Sequence, residues 1–176
     1  MRLKTFLVES ELILAAWDAY SGEHSDADGW PFDEAAYGWR MVQRDAETRR
    51  AFLPLQPCAR QLLALAAVQI QRLGKHGVAP HWACHLRELG QALEHLEGLR
   101  REHTAVRETR RVSGPVPRET FVDSVAEFNE EAWSHLRTWA DKGHVLFDIR
   151  AVSVTAHVRW VPVPDAAAVR HTARRW

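Results

Sequence analysis

Residues 81–96, His81-Trp82-Ala83-Cys84-His85-Leu86-Arg87-Glu88-Leu89-Gly90-Gln91-Ala92-Leu93-Glu94-His95-Leu96, carry Trp82, Leu86, Leu89, Leu93 and Leu96 at steps of 4, 3, 4 and 3. Those steps keep the five apolar side chains on one side of an α-helix, as the seam of a helix–helix contact requires. Upstream, Ala59, Leu62, Leu63, Ala66, Ile70 and Leu73 recur at helical spacing and predict a helix over residues 57–73. Between the two, Gly74-Lys75-His76-Gly77-Val78-Ala79-Pro80 is long enough to reverse the chain. A central antiparallel helical hairpin over residues 55–111 is the expectation. Past Leu99 the next two seam positions fall on Arg100 and His103, so the apolar face runs out while the helix continues toward Arg111.

Toward the N-terminus, residues 1–54 read as an acidic unit. Leu3 to Val8 reads as a short strand, Ser10 as the cap of a helix to Tyr20, and residues 21–33 as a loop. Asp33 is placed to cap a second helix, which Pro54 and Pro57 end. Toward the C-terminus, residues 112–118 (Val-Ser-Gly-Pro-Val-Pro-Arg) read as a linker. Thr120 and Asp123 have capping-box spacing for a helix over 119–143, with Phe121, Val125, Phe128, Ala132, Leu136 and Trp139 as its apolar stripe. Residues 144–164 are rich in β-branched side chains, and Val154, Ala156, Val158 and Trp160 alternate with polar positions, as in a half-buried strand. Residues 165–176 form a basic tail. The expected fold is a single α+β domain, mainly helical. It has about five helices and a small antiparallel sheet made from the N-terminal strand and two C-terminal strands.

Composition narrows the function classes. The 176 residues hold 23 basic and 23 acidic side chains, are 46% hydrophobic, and include only two cysteines. That balance excludes a disordered tail, a disulfide scaffold and a uniformly basic nucleic-acid-binding chain. The N-terminus meets Glu9 before an apolar signal core can form, and the longest strongly apolar run, Leu62 to Val68, is too short to span a bilayer. A cytoplasmic protein with no membrane association is expected.

Charge is segregated along this neutral chain. From Glu9 to Glu34 there are eight carboxylates and no lysine or arginine. From Leu99 to Arg118, Arg100, Arg101, Arg107, Arg110, Arg111 and Arg118 face only Glu102 and Glu108, a net charge of +4. Arg159, Trp160, Arg174 and Arg175 belong to a second basic run near the C-terminus. Arginine outnumbers lysine 20 to 3 and there are eight tryptophans, a pairing suited to bidentate phosphate or carboxylate contact with aromatic stacking.

Catalytic motifs are absent: there is no nucleophile elbow and no phosphate loop. His81, His85, Glu88 and His95 stand at steps of 4, 3 and 7, which puts His81 and His85 on one helix face within reach of a single metal ion. Asp26, Asp28 and Gly29 resemble part of a calcium loop, but His24 and Ala35 stand where its first and last ligands belong. The expected function is a non-enzymatic adaptor or accessory subunit. It would bind a protein or a nucleic acid through Trp/Arg-rich surfaces, use no cofactor, and have the option of pairing head to tail with another copy. The alternative is a small metal-dependent enzyme using His81, His85 and Glu88.

Overall fold

The computed structural model describes residues 1–74, 78–113 and 118–159. Among them it contains six helices: α1 (Arg2–His24), α2 (Glu34–Phe52), α3 (Gln56–Leu73), α4 (Pro80–Ser113), α5 (Arg118–Lys142) and α6 (Val145–Arg159). There is no sheet among the described residues, and the only extended pairing there is a single bridge between Ser25 and Pro31. The fold is therefore all-helical, and the expected α+β architecture is wrong.

The error has a physical cause at both ends. Leu3, Phe6 and Ser10 are buried at steps of 3 and 4, so the first residues follow a helical repeat, and α1 starts before Ser10 rather than at it. Near the C-terminus, Val145, Leu146 and Ile149 are buried on one side of α6 while Val154 is 56% exposed. Alternation of β-branched residues is a weak preference that packing overrides when a helical stripe finds a partner. Here the partner is α3, against which α6 lies. Of the expected linker 112–118, Val112 and Ser113 belong to α4 and Arg118 opens α5; residues 114–117, the end of the expected strand segment (160–164) and the tail 165–176 lie outside the described residues.

Cross-helix contacts fix the directions. Phe6 meets Phe52 at 5.2 Å between ring centroids and Trp17 meets Tyr37 at 5.0 Å, so α1 and α2 run antiparallel. Glu88 meets Lys142, His95 meets His135, and His103 meets Phe128, so α4 and α5 are antiparallel as well. Arg44 meets Trp133, Arg49 meets Phe128 and Asn129, and Phe52 meets Trp139, so the C-terminal half of α2 packs across the middle and end of α5. In α3 and α4, Arg60 pairs with Glu97 while Leu63, Ala67, Leu86 and Gly90 line one shared hollow, an antiparallel arrangement.

The core is built from the seam outward. Trp82, Leu89, Leu93 and Leu96 are all at most 5% exposed and join Phe6, Phe52, Leu55, Leu136, Trp139 and Ile149 in one apolar cluster. Burying such side chains is worth about 1.5–3 kcal/mol each relative to water. Asp33 caps α2 by accepting the Ala36 N–H at 3.0 Å. One charged pair sits inside: Arg44 and Asp45 are joined at 2.6 Å, and the guanidinium lies between the rings of Trp17 and Trp133, 4.5 and 3.7 Å from their centroids. Desolvation by burial raises the Asp45 pKa, against the pull of the Arg44 hydrogen bond and charge. Cys58 and Cys84 are both free and lie toward opposite ends of the α3–α4 hairpin.

Candidate arginine-lined cleft

The sharp corner between α2 and α3, where Pro54 and Pro57 interrupt the helical path, brings the end of one helix and the start of the next against the middle of α4. Two hollows meet there, sharing Gln56, Arg100 and Thr104. The inner one, about 260 Å³, is walled by Phe52, Leu53, Leu96, Phe128, Ala132 and Leu136, with Arg49 and His103 at its edge. The outer one, about 760 Å³, is lined by Pro57, Arg60, Glu97, Arg101, Ala105 and Glu108 as well as the shared residues. Four guanidinium groups, Arg49, Arg60, Arg100 and Arg101, thus border one continuous cleft with an apolar floor.

Each arginine is held differently. Arg49 donates to Asn129 Oδ1 at 3.2 Å and lies 4.2 Å from the centroid of the Phe128 ring. Arg60 pairs with Glu97, and that hydrogen bond, followed by the glutamate's charge, raises the arginine's pKa further. Arg101 Nε donates to the Glu97 carbonyl oxygen one turn back, at 3.3 Å. Arg100 is exposed on the rim. Among the described residues, the cleft's lining carries four arginines against Glu97 and Glu108.

Of the arginines expected from sequence, Arg100 and Arg101 line this cleft. Arg107, Arg110 and Arg111 lie on the continuing backbone of α4, Arg118 is the first residue of α5, and Arg159 the last of α6. Trp160, Arg174 and Arg175 lie outside the described residues. Arg49 and Arg60 were not legible as site residues: they stand outside the basic run in the sequence, and only the α2–α3 corner brings them to it, while His103 lies within that run but was read only as a failed seam position.

The histidine stripe is dispersed by its neighbours. His81 and His85 lie 5.1 Å apart between ring centroids. Glu88, the third expected ligand, accepts from the Lys142 ammonium of α5 at 2.7 Å, which holds its carboxyl below the ordinary glutamate range. His95 stacks on His135 instead of facing the other two. Among the described residues no three histidine, cysteine or carboxylate side chains are grouped as metal ligands. The Asp26 carboxylate, likewise, accepts the backbone N–H groups of Asp28 and Trp30, at 3.0 and 2.8 Å, and so serves its own turn.

No single helix among the described residues is long and apolar enough to cross a membrane. Comparison with known protein families, with characterised proteins and with solved structures finds no match for this chain.

Proposed function

We propose that this chain is a non-enzymatic adaptor or accessory module that holds an anionic macromolecular partner in the cleft between the α2–α3 corner and α4. The observation that carries the proposal is the convergence of Arg49, Arg60, Arg100 and Arg101, drawn from three helices, on one concave surface with an apolar floor. Arginine forks bind carboxylate or phosphate bidentately, and their stems together with Pro57 and Leu53 offer apolar contact beside the charge. Recognition of this kind needs shape and charge and no reacting group.

Titration of the protein with a fluorescein-labelled single-stranded oligonucleotide and, separately, with a labelled poly-glutamate peptide tests the proposal. Binding of one probe or both is expected, weakening as salt rises because salt anions compete for the guanidinium groups and salt cations for the probe's charges. A steep logarithmic salt slope with the oligonucleotide favours phosphate, and a preference for poly-glutamate favours an acidic protein surface. Absence of binding to both probes at low salt would contradict it.

A further inference from the structure

The other end of α2 carries the opposite chemistry. Trp30, Phe32 and Trp39 are 69%, 72% and 69% exposed within ten residues of sequence. Three large aromatics left so open are unusual, since each removes a large apolar area from water when covered. Their presentation is built rather than slack. Asp26 Oδ1 accepts from two backbone N–H groups, the Asp26 N–H donates to the Trp30 carbonyl at 2.9 Å, and the Phe32 N–H donates to the His24 carbonyl at 2.9 Å. Gly29 takes a φ of 85° to close this turn, a conformation that favours glycine. Around the aromatics stand Glu23, Asp28 and Glu34, all exposed.

The acidic aromatic tip and the arginine cleft are complementary, yet they cannot meet within one molecule. Trp30 and Phe32 precede α2 and the cleft begins at Arg49 in its last turn, so the helical rise from Glu34 to Arg49 holds them roughly 22 Å apart. None of the ion pairs among the described residues joins the acidic stretch 9–34 to Arg60, Arg100 or Arg101. The chain also shows what arginine and aromatics do when they meet: Arg44 lies against Trp17 and Trp133, and Arg49 against Phe128.

We infer that the partner of the cleft is the tip of a second copy of this chain. Trp30 and Phe32 enter the outer hollow beside Arg100 and Arg101, and Asp28 and the neighbouring carboxylates meet the guanidinium groups. The inference rests on the cleft being the binding surface. Because tip and cleft are different patches on one molecule, the contact is heterologous and leaves each added copy with a tip or a cleft to offer. Two aromatics and a few ion pairs cover less than the ~1,200 Å² typical of a lasting complex, so assembly is reversible and responds to concentration and salt.

Sedimentation velocity over a range of concentrations, at low and high salt, is the test, with two variants. Trp30→Ser/Phe32→Ser removes the tip, and Arg100→Ala/Arg101→Ala removes the cleft; all four positions are exposed, and circular dichroism checks that each variant folds. The wild type is expected to grow in mass with concentration and to dissociate at high salt. Each variant alone should stay monomeric, and an equimolar mixture of the two should form a one-to-one dimer that grows no further, because one intact tip meets one intact cleft. Two results would overturn the inference: a wild type that is monomeric throughout at low salt, or oligomers that persist in both variants. If the wild type is monomeric but still binds the oligonucleotide or poly-glutamate through Arg100 and Arg101, self-assembly is wrong and the cleft takes that other partner. If it binds neither, the cleft reading falls as well.

Discussion

His95 of α4 and His135 of α5 lie face to face, with 4.6 Å between ring centroids and 10° between ring planes. Burial, and then the charge of His95, hold the His135 pKa below the ordinary histidine value. The unfolded chain therefore binds this proton more readily than the folded one. Stability from this group is present above about pH 6.5 and is lost as pH falls through the lower folded value. Thermal melts between about pH 7.5 and 5.5 should show a falling Tm, with a shallower fall in His135→Gln. A Tm profile unchanged by that substitution would remove the stacked pair as its source.

The seam gives a test of packing. Leu89 and Leu93 are 0% and 1% exposed, and Glu94 between them and the next turn is exposed. Leu89→Ala and Leu93→Ala should each cost ~2–5 kcal/mol in urea unfolding, the usual range for a core cavity. Glu94→Ala should fall within about 0.5 kcal/mol of wild type. Similar small losses at all three positions would show that the 4-3 repeat is not buried.

Two glycines should respond to alanine with opposite signs. A Cβ on Gly143, in the tight connection from α5 to α6, would stand 2.5 Å from the Trp139 carbonyl oxygen and 3.1 Å from Leu7 Cδ2. Gly143→Ala should therefore destabilise by ~1–3 kcal/mol, as overpacked sites do. A Cβ on Gly98, inside α4, meets nothing within 4 Å. Gly98→Ala should stabilise by ~0.5–1 kcal/mol through helix propensity alone. Paired chemical melts of the two variants decide the matter.

What could be read from the sequence differs by element. The 4-3-4-3 repeat from Trp82 to Leu96 was legible because every seam position is apolar and the opposite face polar. Asp33 was legible as a cap because its short carboxylate precedes a helical run. The ends were misread: Leu3 to Val8 and, as far as Arg159, the segment from His144 are rich in side chains that suit either repeat, so only their partners, α2 and α5 for the first and α3 for the second, decide between helix and strand. The site was half legible. Arg100 and Arg101 stand in a charge run visible at a glance, whereas Arg49 and Arg60 lie 51 and 40 residues before Arg100 and arrive through the corner at Pro54 and Pro57.

The measurement that bears most directly on the arginine cleft is paired binding and melting of the triple variant Arg60→Ala/Arg100→Ala/Arg101→Ala. These side chains are on the rim, and the one ion pair lost, Arg60 with Glu97, is exposed and screened by solvent, so it adds little to stability. The Tm should stay within a few degrees of wild type while affinity for the anionic probe falls at least tenfold. Undiminished affinity in a folded triple variant would contradict the account, and so would a collapse of stability in parallel with binding, since the arginines would then be structural.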